Sequence, residues 1–302
     1  MSEEATTPAL PLHLVKLIGK KHRERGLIRH LRMLTADEDR AYREACNHLN
    51  DFKRSRELFP LVQLNARSCL RGAQMIVRTP REVLRDTRRR EHLGREFNRL
   101  LINYLGSFRL YLDQMRTRLW RLYRVSSEFA AFEAARRHAY DTTPEYRVIY
   151  KARDFALHCG MLVPGVQFSE TLVREPEQRV AHTVGLDCNR DYLLEQFGKD
   201  WKHAYEHIKE QPDSFPIHLM FVGATRALHY VDTKVTEAER PSLLASARVI
   251  VQLAAEVAPG DDEGAAVAEI HQNEPRTDIV FVHAPATVIA WVGLPYQRIA
   301  QF

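Results

Sequence analysis

No proline interrupts the chain between Pro80 and Pro144. Across the 63 residues between them, Phe97, Leu101, Tyr104, Phe108, Leu112, Met115, Leu119 and Leu122 recur at steps of four and three. That spacing lines one face of an α-helix with apolar side chains, as in a helix packed into a bundle or coiled coil. A single helix over the whole stretch would reach about 95 Å at ~1.5 Å per residue, so the spacing predicts a break between Ser126 and Asp141. A chain organised round such a stripe is mainly α.

The flanking sequence extends this reading. Apolar residues at helical steps run from Ala36 to Val77, and Thr79-Pro80 is a break and restart signal. Thr142-Thr143-Pro144-Glu145 combines Thr and Glu at capping-box spacing with Pro in the first turn, and Cys159-Gly160 supplies a terminating glycine. These ends predict a helix over Pro144–Cys159 with Val148, Ala152, Phe155 and Cys159 as its apolar stripe. Gln167–Val180 reads as containing extended strands. Further helices are expected over Arg190–Lys209, Phe215–Thr236 and Ser242–Val257. A turn at Pro259–Asp262 then leads to short strands over Ala266–His271 and Asp278–His283, joined by Asn273–Arg276. The expected organisation is a basic, irregular segment at 1–35 with Pro8, Pro11 and Gly19, a helical domain at 36–240, and a small α/β piece at 241–302.

Composition narrows the function classes. Of 302 residues, 45% are hydrophobic and 27% charged, which excludes disorder along the whole chain. The longest apolar runs are too short to span a bilayer, and the first residues lack the apolar core of a secretory leader. Cys46, Cys69, Cys159 and Cys188 lie far apart with no CxxC pair, which argues against a cysteine zinc site and fits a reducing cytoplasm. Residues 1–150 carry 30 basic and 18 acidic side chains, and residues 151–302 carry 14 and 21. A net +12 followed by −7 suggests a basic half facing a polyanion, nucleic acid first. The alternative is an arginine-rich chain that solvates its helices with guanidinium groups.

The run Arg153-Asp154-Phe155-Ala156-Leu157-His158 carries the most chemistry. Asp154 and His158 stand four apart on one helix face, within reach of each other. His158 is expected at a helix C-terminus, where the dipole and Asp154 both favour the imidazolium and make it a proton donor. Arg153 offers a permanently charged planar fork suited to phosphate. An Arg for phosphate charge and a His for proton transfer suffice for metal-free RNA cleavage by ribose 2′-hydroxyl attack on phosphorus. The same spacing also suits a purely structural polar network.

The stretch Glu145–Gly160 resembles the signature helix of HEPN domains, in which Arg is followed by a polar residue, three more residues and His. Arg153, Asp154 and His158 match it position by position, with Asp154 in place of the commoner Asn. Leu101–Asp113 resembles the Asn-containing helix that precedes this motif in bacterial HEPN-like proteins, and the Trp201 and Phe215–Val235 helices resemble those that follow, so that the likeness spans about 95–236. The resemblance implies an antiparallel helical bundle that forms a homodimer, with two Arg153/Asp154/His158 sets meeting in one composite ribonuclease site. It calls for no cofactor and no metal. It further implies a toxin, abortive-infection or phage-defence role with an antitoxin or regulatory partner, or else a HEPN-like module without catalysis that serves dimerisation or interaction.

Other residues are candidates of lesser weight. Asn103 and Asp113 are placed as supporting groups round the composite site. Arg81, Arg85 and Arg88 are expected on one helix face as RNA-backbone contacts, against the alternative of a solvated face paired with Glu82, Asp86, Glu91 and Glu96. His203 and His207 stand four apart but lack a third ligand. Tyr104, Phe108 and Tyr111 read as core rather than as a stacking platform.

Overall fold

In the computed structural model, which describes residues 10–18, 27–173, 179–257, 263–273 and 276–294, the chain is mainly helical with small antiparallel sheets. Strands β1 (Leu12–Ile18) and β2 (Leu27–Met33) lead into α1 (Ala36–Arg56), α2 (Leu58–Val77), α3 (Arg81–Arg85), α4 (Thr87–Tyr123), α5 (Ser127–Thr142) and α6 (Pro144–His158). Next come β3 (Gln167–Val173), β4 (Arg179–Gly185), β5 (Cys188–Asn189), α7 (Arg190–Phe197) and, after a 3-10 stretch over Gly198–Ala204, α8 (Tyr205–Lys209). The chain ends in β6 (Ser214–Phe215), α9 (Met220–Ala255), β7 (Glu263–Asn273), β8 (Arg276–Phe281) and α10 (Ala286–Trp291). Pro8, Gly19 and the Pro259–Asp262 turn lie outside the described residues, as do Glu274 and Pro275 between the last two strands.

Two compact units account for these elements: 55–238, and 1–54 together with 239–302. The chain passes from one to the other inside α1 and inside α9. The first unit is built on α4. Asp86 caps its N-terminus by accepting from the backbone N–H groups of Arg88 and Arg89. Phe97, Leu101, Tyr104, Phe108, Leu112, Met115 and Leu119 are all buried, and Leu122 is half-buried at the end of the stripe. The helix stops at Tyr123 without a proline, and Ser126 is the N-cap residue of α5. Helices α2, α6 and the first half of α9 pack their apolar faces into the same core, joined by Trp201, Ile208 and Ile217. At ~25 cal/mol per Å² of apolar surface removed from water, this burial is the main term that holds the bundle.

The other unit overturns the expected organisation at both ends of the chain. Residues 12–18 and 27–33 are not irregular: they form β1 and β2 of a four-stranded antiparallel sheet in the order β2-β1-β7-β8. β1 is central, with Val15 opposite Ala266 of β7 and opposite His30 of β2. Leu12 and Leu14 join a core with α1, the later part of α9 and α10, whereas Val15 and Leu17 cluster with Ala268 on the sheet's other face. The C-terminal α/β piece is therefore not an appendage closed on itself; its strands are completed by β1 and β2. Helix α1 belongs here too, up to residue 54.

Three helix expectations change as well. Arg190–Lys209 is not one helix but α7 and α8 separated by the 3-10 stretch, with Lys202 at φ 50°. The helices expected over Phe215–Thr236 and Ser242–Val257 merge into one, α9 (Met220–Ala255), which runs through Pro241, while Phe215 pairs in β6 and Ile217–Leu219 is a 3-10 turn; the proline ring costs a backbone hydrogen bond inside the helix without ending it. The Thr142–Glu145 capping box does not form. Thr142 is the last residue of α5 and donates its hydroxyl to the His138 carbonyl, and Thr143 caps α6 without a side-chain hydrogen bond.

Candidate functional site

Helix α6 presents one apolar and one polar side. Tyr146, Val148, Ile149, Ala152 and Phe155 are buried. Phe155 stacks on Trp201 with ring centroids 5.7 Å apart, and Trp201 donates its indole Nε1–H to the Leu193 carbonyl at 2.8 Å. This anchor fixes the rotation of α6 and turns Arg153, Asp154 and His158 away from the core. Gly160, at φ +137°, ends the helix, with the Cys159 and Gly160 amides both donating to the Phe155 carbonyl.

Arg153 is about two-fifths exposed, with 39% of its side-chain surface accessible, and His158 is exposed as the last residue of α6. None of the three is enclosed in the core. The expected Asp154–His158 contact is absent. The Asp154 carboxylate instead accepts from Lys151 Nζ and from Arg153 Nη1, each at 3.4 Å. Lys151, three residues upstream and mostly buried, also lies 5.9 Å above the Phe197 ring. It is the member of the cluster that the motif reading missed, although a Lys three residues before an Asp on a helix is a readable pairing signal. Beside His158, Leu157 and Met161 are apolar and half-exposed.

The supporting residues fall elsewhere. Asn103 is exposed, and its backbone carbonyl accepts from Asn65 Nδ2 on α2, so it sits on the side of α4 that faces α2. Asp113 is exposed and accepts from Arg109 Nε at 2.9 Å. The Arg109 guanidinium lies 4.5 Å from the Tyr150 ring centre, which links Asp113 to α6 at Tyr150 rather than at Arg153. Neither residue touches the Arg153–His158 group through any hydrogen bond among the described residues.

The arginine face is also broken. Arg81 and Arg85 lie on α3, while Arg88 follows the extended Asp86 in α4, so the three do not share one helix face. Arg81 pairs with Glu82 at 3.0 Å and Arg85 with Glu170 of β3 at 2.9 Å. Asp86, Glu91 and Glu96 pair with Arg89, Arg95 and Arg99. Much of this run is thus a solvated, ion-paired surface. Tyr104, Phe108 and Tyr111 are fully buried.

Grouping charge by folded unit softens the linear split. Residues 55–238 hold 29 basic and 23 acidic side chains, a net +6, and the sheet unit has a net −1. The basic excess concentrates on α2–α4, where residues 58–123 hold 14 basic and five acidic side chains.

All four cysteines are free. Burial pushes the Cys188 and Cys69 thiols up to about 12 and Cys46 to about 11, so none of these three supplies a thiolate at neutral pH. No described helix is long and apolar enough to cross a membrane. Compared with protein-family models, curated proteins and solved structures, the chain has no match in any of the three.

Proposed function

We propose that the chain is a metal-independent endoribonuclease of the HEPN type, acting in the cytoplasm as a homodimer, as a toxin or phage-defence effector. One observation supports this reading above the others: Arg153 and His158 share the last turns of α6 with both side chains open to solvent. His158 takes the proton from the ribose 2′-hydroxyl. The 2′-oxygen bonds to phosphorus and the bond to the 5′-oxygen breaks, leaving a 2′,3′-cyclic phosphate and a 5′-hydroxyl. The His158 of the second copy protonates the leaving oxygen, and Arg153 stabilises the charge that builds on the phosphorane oxygens. Asp154, held by Lys151, positions Arg153 rather than His158. The basic residues of α4 hold the RNA backbone.

The test incubates the full chain and His158→Ala with total RNA in EDTA. The expected result is cleavage by the wild type, ending in cyclic phosphate, that falls at least ~100-fold in the variant. Equal cleavage by both, or none by either, overturns the catalytic reading.

Two observations favour a second reading, a HEPN-like dimerisation module without catalysis. Asp154 is taken up by Lys151 and Arg153, and the half-exposed Leu157 and Met161 give the end of α6 an apolar contact surface. Loss of the dimer in Arg153→Ala, with no nuclease in the wild type, selects that reading.

A further inference from the structure

Within the helical unit, α2 and the start of α9 line a groove to which their own stretches of chain contribute no acidic side chain; Asp187, which accepts from Ser214, comes near its His218 end, and Glu145 lies against Gly223. One stretch, of about 340 Å³, lies between Arg67 and Leu70 of α2 and Val222 and Arg226 of α9, floored by Ala66 and Phe221. A second, of about 380 Å³, shares Leu70 and continues along Val77 and Arg78 towards Leu219. On α2 the lining runs from Gln63 to Arg78, about 22 Å at ~1.5 Å per residue, the length of four helical turns.

The surface of this groove is apolar and open. Leu219 is 67% exposed, Val222 55% and Val77 50%. A contiguous apolar surface of this kind marks an interaction site.

Charge selects the occupant. No Asp or Glu occurs in residues 58–81 or in residues 214–231, the stretches that form both walls. The acids that bracket the second stretch are engaged elsewhere: Asp213 pairs with Arg190, and Asp232 is buried against Arg56 and Tyr111. Arg67, Arg78 and Arg226 line the two walls and are exposed, and none of them forms an ion pair among the described residues. A second copy of this chain is disfavoured as occupant, because a two-fold contact of this face sets guanidinium groups against guanidinium groups.

We propose that the groove binds an amphipathic helix of a partner protein, about four turns long, with an apolar stripe between acidic flanks. The apolar stripe fills the line from Phe221 to Val77. Carboxylates on its two flanks meet Arg67 and Arg78 on one bank and Arg226 on the other. This site uses none of the α6 residues, so its occupancy is independent of the ribonuclease reading.

The probe is a display library of 16-residue helical peptides. Its positions i, i+3, i+4, i+7, i+8 and i+11 are drawn from Leu, Ile, Met and Phe, and its other positions are fully randomised. Selection is on the full-length protein, and Arg67→Glu/Arg226→Glu and Val222→Asp serve as counter-targets. All substituted side chains are exposed, and far-ultraviolet dichroism and thermal melting verify that the variants stay folded. The expected result is enrichment of Asp and Glu at the flanking positions. The selected peptides should bind the double-arginine variant at least tenfold more weakly by fluorescence polarisation, and Glu→Lys peptides should regain binding to that variant. Four results overturn the proposal: no enriched peptide; enriched peptides without acidic flanks; displacement of the peptides by a single-stranded oligouridylate with the same arginine dependence, which makes the groove a nucleic-acid surface; and a dimer in light scattering that Val222→Asp dissolves, which makes it a self-contact.

Discussion

The two folded units solve the same problem with different amounts of long-range information. The helical unit uses one continuous stretch of chain, 55–238, and its central elements follow one another along the sequence. The sheet unit draws on two stretches separated by that whole bundle, and its central strand β1 pairs with β7 so that Ile18 meets Glu263. In the first, a helical period is enough to mark which side of each element is buried. In the second, burial is decided by a partner strand 245 residues away. Local periodicity and non-local pairing thus divide the molecule between them, and the units should respond separately to damage.

The severest way to break that comparison is Val15→Asp. Val15 is fully buried in the central strand, and a carboxylate there costs about 4 kcal/mol or more. Hydrogen exchange followed by mass spectrometry should show β7 and β8 losing protection while α4 keeps it. Equal loss in both places would show one cooperative body instead of two. Trp201→Ala makes the converse lesion. It removes the anchor of α6 and leaves a cavity worth about 3–5 kcal/mol, so the urea midpoint of the helical unit should fall and β7 protection should persist. Any His158-dependent cleavage should fall with it, since α6 loses the contact that sets its rotation.

The smallest effect is one of pH. His218 lies half-buried in the helical unit, its Nδ1 buried without a hydrogen-bond partner. Burial holds its pKa below the ordinary 6.5, with Asp187 opposing the shift in part. The unfolded chain therefore binds a proton before the folded one does. Stability from this residue is complete above pH 6.5 and declines as pH falls through the lowered folded value. Urea midpoints of the helical unit should drop between pH 7.5 and pH 5, and His218→Gln should flatten that drop.

The legibility of the sequence follows the same division. The α4 stripe, the break after Tyr123 and the span of α6 are written in local spacing, and the structure has them within a few residues. β1 was unreadable as a strand because its apolar residues occupy both faces: Leu12 and Leu14 on one, Val15 and Leu17 on the other. That destroys the period-two alternation by which strands are recognised. Pro241 does not divide α9, because its cost inside a helix is local while packing on both sides of it holds the helix together. At the site, spacing correctly gathered Arg153, Asp154 and His158 in the last turns of one helix. It could not decide which neighbour Asp154 prefers, since Lys151 and His158 both lie within one turn of it. The acid-free walls of the groove are plain in the sequence of each helix; that α2 and α9 face each other is a tertiary fact.

The position of β1 also has a consequence for biogenesis. Strand β1 leaves the ribosome 245 residues ahead of the strand that covers its open edge. At ~5–20 residues per second, that edge waits roughly 12–50 s with unpaired backbone groups and with Leu12, Val15 and Leu17 uncovered. An exposed strand edge is a template for pairing with another chain. The nascent protein is therefore most exposed to aggregation, and most dependent on a chaperone, while the helical unit is folding and the sheet is still half made.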